Sequence, residues 1–490
     1  MTMDRLWWAV AIALPALVAL LVPIPAVDLA YQLRAGDEIL RTGVLPSVDT
    51  YTFTVAGATW LDQQWLAQVL LALVHRAGGW ELLLVLRAAL VAASTGLLAL
   101  VAVARGARPR TAVLLALAGF MLAAPALALR PQLLAITLFA AVLLLVAGRH
   151  RHPRAAWAIP LLVVAWANIH GSFVLAPIVL GYAWLDDLAR GRRALVAFAL
   201  VVVGSACTLL TPFGVSAWTY AAGIGANPVI AAQATEWQRT SPASVPGILF
   251  YLSALAGLAV AFRGRAALRW PDALLLATLL LVGAWAERGL AWWPFGLVMV
   301  IGGLPDALLA VPRAATHAAT EAMVDGRTSV PALGPSGAQR AARAKRTPGA
   351  IAALLLVLVV ALLPWWRPAA PLTGRVGILA YAPAGLAGRL RELAPPGTRV
   401  LAAQTWTSFL EWAVPDARYF LDSRFELFPP AVWEDRATIV AGGAGAQAVL
   451  DRWKVELLVL PAGVDLGLEG WTTAYEDADG SILARVSTQP

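Results

Sequence analysis

Long apolar segments recur along this chain and limit the folds that are open to it. The first is Leu6–Val27, and similar runs rich in Leu, Val and Ala return repeatedly, separated by short loops. Of the 490 residues, 60% are hydrophobic and 13% are charged, whereas soluble globular domains carry roughly 25% charged residues. Apolar runs of about 18 residues or more are typical of transmembrane helices. The sequence therefore predicts a polytopic, α-helical membrane protein.

About eleven transmembrane spans are predicted by the length that a bilayer requires. They are residues 6–27, 80–104, 111–129, 132–148, 155–169, 172–185, 194–212, 246–262, 271–286, 290–311 and 348–366. A shorter apolar stretch, 65–75, is predicted to be an interfacial or re-entrant helix. The first run resembles a signal sequence, but it is longer than a signal core and has no clear cleavage site, so we interpret it as a retained span.

The arginines orient the predicted spans. Groups of three fall in alternate loops, namely Arg105, Arg108 and Arg110; Arg149, Arg151 and Arg154; Arg190, Arg192 and Arg193; and Arg263, Arg265 and Arg269. All of these loops lie on the side of Arg5, and the positive-inside rule places that side in the cytoplasm. The net charge of +8 thus reflects membrane topology, and no nucleic-acid partner is expected.

The same pattern divides the chain into four parts. Residues 1–312 form a transmembrane module whose first external loop is 28–64, residues 313–347 form a basic cytoplasmic linker, and 348–366 form the last span. Residues 370–490 are predicted to form a small extracytoplasmic α/β domain, because predicted strands alternate with predicted helices. The strands are 398–403, 419–422, 455–461 and 481–486, and the helices are 384–393, 405–414, 430–441 and 445–453.

The first external loop carries the most informative polar residues. Asp28 directly follows the first span, where a carboxylate is partly desolvated and can act as a base. The alternative is that Asp28 stabilises the N-terminus of an amphipathic helix predicted at 28–40. Asp49 follows Pro46 in a turn-like segment, so it is either a second carboxylate of a site or a cap of that turn.

Other predicted external turns add charged groups at the same membrane surface. Arg130 is a candidate for binding a phosphate group, or it only extends its side chain to the membrane–water interface. His170 is a candidate for proton transfer or phosphate binding, or is simply hydrogen-bonded. The pairs Glu236 with Arg239 and Glu287 with Arg288 either belong to the site or are surface ion pairs.

Two further points concern ligands. Asp422 and Arg424 follow a predicted strand, where they recognise an acceptor or stabilise a turn. The sequence has no Walker A loop, HExxH or CxxC motif, and with few histidines and one cysteine it predicts no dedicated transition-metal site. Mg²⁺ or Mn²⁺ bound by Asp28 or Asp49 stays open.

Several short motifs resemble those of a known superfamily. The arrangement Asp28, Gly36, Gly43, Pro46, Asp49, Trp60 and Trp65 resembles the first external loop of GT-C-type membrane glycosyltransferases. Bacterial multi-span proteins of that superfamily are similar over nearly the whole chain, including Arg130-Pro131-Gln132, Trp166 to Gly171, Glu236-Trp237 and Phe420 to Arg424.

This resemblance implies a GT-C-like fold and an enzyme that uses a polyprenyl-phosphate sugar. It further implies that Asp28 is the base that deprotonates the acceptor hydroxyl, and that arginines such as Arg130 or Arg288 hold the departing phosphate, with Gln64 and His170 also on the donor side. Two departures stand out. Asp28 is followed by Leu29 rather than by a second acid, and Gln63-Gln64 stands where the similar proteins carry His-Glu.

The sequence thus favours transfer of a hexose or pentose from a polyprenyl phosphate to an envelope glycan, lipid or protein acceptor. The expected location is a bacterial inner membrane, with a cytoplasmic N-terminus. A lipid or glycan transporter is a second hypothesis, supported by Arg87 within a span, although mid-membrane acids are scarce. A non-catalytic envelope assembly protein is a third, and Gln63-Gln64 favours it.

Overall fold

The computed structural model describes residues 1–305 and 337–486. Most of the predicted linker, 313–347, and the end of the predicted span 290–311 therefore lie outside the described residues. Helices of the membrane part are α1 (Met3–Leu21), α2 (Ala26–Thr42), α3 (Trp65–Arg105), α4 (Pro109–Ala123), α5 (Pro131–Gly148), α6 (Ile159–Ile169), α7 (Leu175–Ala189), α8 (Leu195–Cys207), α9 (Ser216–Ala226), α10 (Pro228–Gln233), α11 (Val245–Arg263), α12 (Trp270–Trp285), α13 (Trp293–Ile301) and α14 (Gly337–Ala361).

The described residues contain helices suited to crossing a membrane. Six are long and apolar enough, namely Met3–Leu21, Trp65–Arg105, Pro109–Ala126, Pro131–Gly148, Gly171–Ala189 and Val245–Arg263. Shorter apolar helices are Ala155–Ile169, Leu195–Cys207, Trp270–Trp285 and Thr347–Ala361. Every predicted span overlaps a helix, and the prediction of a multi-pass, α-helical membrane fold is confirmed.

Helix α3 joins two elements that the sequence suggested were separate. The stretch 65–75 and the span 80–104 are its two limbs, which meet at a break where Gly78 and Gly79 leave the helical conformation. Gly79 has φ +63°, a left-handed conformation that glycine adopts without strain. The first limb packs against α2, because Gly36 lets the main chains of the two helices come close. One face of this limb, with Ala67, Gln68, Leu71 and Ala72, is buried, whereas Leu70 and Leu73 are exposed.

The arginine-rich loops meet at one end of the helix bundle, as their alternation predicts. Asp186 near the end of α7 forms ion pairs with three of them, at 2.7 Å from Arg149, 3.0 Å from Arg190 and 2.9 Å from Arg269. The guanidinium of Arg110 lies over the ring of Trp7 in α1, 5.6 Å from its centre. The N-terminal helix thus begins at this same end.

The C-terminal part is an α/β domain, as predicted. Its strands and helices are β2 (Ala369–Ala370), β3 (Gly374–Arg375), β4 (Leu379–Ala380), α15 (Ala384–Leu393), β5 (Arg399–Ala402), α16 (Gln404–Ala413), β6 (Arg418–Tyr419), α17 (Pro430–Ala441), α18 (Gly443–Trp453), β7 (Leu457–Pro461), β8 (Trp471–Glu476) and β9 (Gly480–Arg485). The main sheet has the order β6-β5-β7-β9-β8. The sequence did not predict β8, an edge strand in which no residue is buried and in which apolar and polar residues do not alternate.

This domain is docked on the segment that follows α1. Strand β1 (Ile24–Pro25) pairs in parallel with β4, and Thr52 forms a bridge with Tyr419 of β6. Leu29 and Leu33 of α2 share a buried cluster with Phe409 of α16. The first external loop and the C-terminal domain are therefore one packed unit at the end of the bundle away from the arginine-rich loops.

Candidate active site

A cavity of about 390 Å³ lies where the helix bundle meets this packed unit. Its walls come from α2, the start of α3 and the segment before it, the starts of α5 and α7, the helices α9 and α10, the end of α12, and the loop that follows β6. Its polar lining side chains are Asp28, Tyr31, Gln32, Asp62, Gln63, Gln64, Gln68, Arg130, Gln132, His170, Ser172, Tyr220, Glu236, Arg288, Ser423 and Glu426.

A row of alternating charges occupies one end of the cavity. Arg130 Nη1 lies 3.1 Å from Asp28 Oδ2 and 3.0 Å from Glu236 Oε2. The other carboxylate oxygen of Glu236 pairs with Arg288. We call these four residues the charged row. Burial alone would raise the pKa of Glu236, but Arg288 and Arg130 hold it below its ordinary value.

Asp28 lies in the first turn of α2 and faces the cavity. The N-cap of this helix is Pro25, and no side chain caps it. The negative charge of Asp28 is favourable near a helix N-terminus, but its direct partner is Arg130. With 26% of its side chain exposed, it is accessible from the cavity, as a carboxylate that accepts a proton from a substrate must be.

Two more residues that were predicted to bind the sugar donor, Gln64 and His170, also line the cavity. Gln64 Oε1 accepts a hydrogen bond from Gln32 Nε2 at 3.0 Å. His170 Nδ1 accepts from the main-chain N–H of Ser172 at 3.1 Å. Burial, and then the nearby charge of Arg288, lower the pKa of His170 to about 3. This lowering favours the neutral imidazole, which can form hydrogen bonds, and the role of His170 on the donor side stays a prediction.

Four other predicted site residues do not line the cavity. Asp49, Asp422 and Arg424 form a buried ion-paired triad, in which Arg424 Nε donates to Asp422 Oδ2 at 2.9 Å and Nη2 contacts Asp49. Asp49 also accepts from the N–H of Thr52 at 3.1 Å, in keeping with the turn-cap interpretation. Arg239 is exposed. The triad joins the first external loop to the C-terminal domain.

Sequence reasoning missed two further carboxyl groups that line the cavity, those of Asp62 and Glu426. Asp62 is 2% exposed, and burial raises its pKa to about 7 although a hydrogen bond from Gln68 opposes the shift. Glu426 accepts a hydrogen bond from the Tyr220 hydroxyl at 2.9 Å, and burial raises its pKa as well. The available signals were positional, since Asp62 directly precedes Gln63 and Glu426 lies two residues after Arg424.

The two carboxylates considered for Mg²⁺ or Mn²⁺, Asp28 and Asp49, each have an arginine partner. Asp28 pairs with Arg130 in the cavity, whereas Asp49 pairs with Arg424 outside it. Within residues 1–305 and 337–486, no group of three or more His, Cys, Asp or Glu side chains is placed to hold a metal ion.

No protein-family model and no curated protein matches the sequence, but solved structures match the fold. The archaeal oligosaccharyltransferase AglB from Archaeoglobus fulgidus aligns with a TM-score of 0.56 and 10% identity, over 94% of this chain and 70% of that one. The chain has a GT-C glycosyltransferase fold. A second structure of the Archaeoglobus fulgidus oligosaccharyltransferase gives a TM-score of 0.50 at 11% identity, over 92% and 69% of the two chains. ArnT from Cupriavidus metallidurans gives 0.49 at 16% identity, over 97% of each chain.

Proposed function

We propose that this protein is a membrane glycosyltransferase that moves a sugar from a polyprenyl phosphate to a hydroxyl or amide group of an envelope glycan, lipid or protein. One observation carries the proposal. A carboxylate, Asp28, lines a cavity at the end of the helix bundle, in contact with an arginine and near a second one. Base and phosphate-binding groups are therefore close enough to act on one substrate.

The arginines of the charged row suit a phosphate leaving group. When the bond between the sugar carbon and the phosphate oxygen breaks, negative charge grows on the phosphate, and fixed guanidinium groups stabilise it. Arg130 and Arg288 both contact Glu236, which holds them in position before the lipid binds. Asp28 then takes the proton of the acceptor as the acceptor atom forms its bond to the sugar.

An apolar part of the cavity suits the lipid. Leu175 and Ile178 of α7, Ile224 of α9 and Trp285 of α12 line it. The side chain of Trp285 is 64% exposed, so this wall reaches the surface of the helix bundle. A polyprenyl chain can lie there with its phosphate at the charged row. The structure of AglB that shares this fold was solved in complex with a dolichol-phosphate, which supports the same donor class here.

The location follows from the arginine alternation. We propose a bacterial inner membrane, with the N-terminus in the cytoplasm and the C-terminal domain and cavity at the outer face. A transporter is less well supported. Its main support was Arg87, and the hydrogen bonds of Arg87 are those of a residue that stabilises the packing of two helices. Its guanidinium donates to main-chain carbonyls at the end of α1, including Pro23 O at 3.0 Å.

Transfer from radiolabelled polyprenyl-phosphate sugars to cell-envelope acceptors tests the proposal, with the purified full chain in lipid nanodiscs. Asp28→Asn keeps the shape but removes the base, and should lower the rate by about 10²- to 10⁴-fold. Asp37→Asn is the matched control, because Asp37 lies on the same helix and pairs with Arg76 at 2.6 Å without lining the cavity. Equal rates for wild type and Asp28→Asn would refute the assignment of the base. Adding EDTA, Mg²⁺ or Mn²⁺ tests whether a divalent cation takes part.

A further inference from the structure

Unpartnered hydrogen-bond acceptors occur on side chains that line the same cavity as the charged row. They are Gln32 Oε1, Asp62 Oδ2, Gln63 Oε1 and Gln68 Oε1, which have no hydrogen-bond partner among the described residues. All four side chains line the cavity, and each is only 1–2% exposed. We call them the acceptor cluster.

Local hydrogen bonds fix the orientation of two of these amides. Gln63 Nε2 donates to the main-chain oxygen of Ala167 at 2.7 Å, so Oε1 is the atom left over. Gln68 Nε2 donates to Asp62 Oδ1 at 2.6 Å, which leaves Oδ2 of Asp62 and Oε1 of Gln68. The protein therefore uses the donors of these groups itself and leaves their acceptors free.

Buried acceptors without donors are costly, typically about 1–3 kcal/mol each. Proteins leave them in place mainly where water or a ligand supplies the missing donors. Because the surplus in this cavity consists of oxygens, the ligand part that fits must present several hydrogen-bond donors. Hydroxyl groups on a ring meet that requirement, whereas a phosphate, which offers further acceptors, does not.

The acceptor cluster is connected to the charged row through one short turn. The positive charge of Arg288 lowers the pKa of His170, which is next to Gly171. A Cβ placed on Gly171 would lie 3.8 Å from Gln63 Oε1. The charged row and the acceptor cluster thus line one cavity.

We propose that the acceptor cluster is the sugar subsite, in which the hydroxyl groups of the glycosyl unit donate hydrogen bonds to Asp62, Gln63, Gln68 and Gln32. This inference rests on the proposed function, because it assigns the sugar of the same lipid whose phosphate contacts the charged row. The subsite makes affinity depend on the sugar, and Asp62 contributes most when its carboxyl group is ionised, since hydrogen bonds to charged groups are the stronger ones.

The test compares two kinds of lipid on the same protein, one without a sugar and one that bears a sugar. Binding of undecaprenyl phosphate, and of undecaprenyl phosphate bearing glucose, galactose, mannose or arabinose, is measured with the full chain in nanodiscs. Asp62→Asn turns the free acceptor into a donor at constant shape, and Gln68→Met removes one. Each should weaken binding of the preferred sugar-bearing lipid by about tenfold and leave the sugar-free lipid unchanged. Ser94→Ala is the control, because Ser94 is a buried polar residue of the same helix α3 and does not line the cavity.

The outcomes separate the two proposals. If wild type binds neither kind of lipid, the proposed function fails and the subsite fails with it. If it binds both kinds equally, or if Asp62→Asn weakens both equally, the subsite is refuted while lipid binding stands. Mn²⁺ alone is the third probe. Binding of Mn²⁺ to wild type that Asp62→Asn abolishes would make the cluster a cation site and would also overturn the proposal.

Discussion

The buried triad of Asp49, Asp422 and Arg424 offers a sharp test of how the C-terminal domain is held. The side chain of Arg424 is 1% exposed, and those of its two carboxylate partners are 0% exposed. Arg424→Met keeps a long apolar side chain but leaves two carboxylates buried without their cation. Breaking a buried ion pair by removing one partner costs about 3–5 kcal/mol, so we expect a loss of that size in the free energy of unfolding.

Loss of cation–π contacts adds to this cost. The guanidinium of Arg424 lies 4.6 Å from the centre of the Tyr51 ring and 4.4 Å from that of Trp60. Such contacts contribute roughly 0.5–2 kcal/mol. Tyr51 and Trp60 belong to the first external loop, so both losses fall on the junction between this loop and the C-terminal domain.

A charge-neutral variant separates electrostatics from packing. Asn at position 422 can still accept the hydrogen bond from the N–H of Arg424, and Asn at position 49 can keep the one from the N–H of Thr52 while losing the one from the N–H of Tyr51. Neither Asn carries a charge. The triple variant Arg424→Met, Asp49→Asn, Asp422→Asn should therefore recover on the order of 2 kcal/mol relative to Arg424→Met alone. Unfolding in mixed micelles of rising SDS content, followed by tryptophan fluorescence, measures these values. A loss below about 1 kcal/mol in the single variant, or a triple variant no more stable than the single one, would refute this reasoning.

Four further predictions concern the cavity and the packing of α2 against α3. Burial raises the pKa of Asp62 to about 7, so affinity for a sugar-bearing lipid should rise several-fold from about pH 6 to about pH 8 as the carboxylate forms, and Asp62→Asn should abolish this rise. Because that pKa lies above its unfolded value, Asp62 should also lower stability as pH rises from about 4 to about 7, which a pH series of unfolding midpoints for wild type and Asp62→Asn would detect. Tyr220→Phe removes a hydrogen bond that lowers the pKa of Glu426, so any limb of the pH–rate profile that belongs to Glu426 should move to higher pH; an unchanged profile would mean that this carboxyl does not limit the rate. Gly36→Ala places a methyl group against the main chain of α3 and should cost about 1–3 kcal/mol, whereas Gly148→Ala, with no neighbour within 4 Å, should cost nothing measurable in the same assay.

The sequence could predict the charged row because membrane topology restricts where loops lie. Its four members come from distant parts of the chain, but each lies in or next to a predicted loop on the same side of the membrane. They are Asp28, Arg130, Glu236 and Arg288. Once the arginine-rich loops fix one end of the bundle, the other loops must meet at the opposite end. The structure brings these four side chains into contact. What their contact does chemically stays a prediction.

The acceptor cluster and the triad lay beyond the reach of sequence patterns, for two physical reasons. Asp49 and Arg424 are 375 positions apart, and no local periodicity signals a contact of that kind. Gln63 and Gln68 are buried polar residues beside a cavity, where the usual rule that polar side chains face water fails. Arg87 lies inside a span and was the support for the transporter hypothesis. It donates to main-chain carbonyls at the end of α1, a contact that its place in the sequence does not indicate.

Two residues of the C-terminal domain that were predicted to belong to the site, Asp422 and Arg424, lie beside residues that line the cavity but do not line it themselves. Asp422 and Arg424 point into the junction and fix the loop after β6, while Ser423, Phe425 and Glu426 of the same loop line the cavity. Ser423 also donates to Val27 O at 2.9 Å, one residue before Asp28. The domain therefore forms one wall of the cavity and is anchored next to the proposed base. A change that loosens the triad should disturb the position of Asp28 and Glu426 together, which ties the stability of this junction to the chemistry proposed for the cavity.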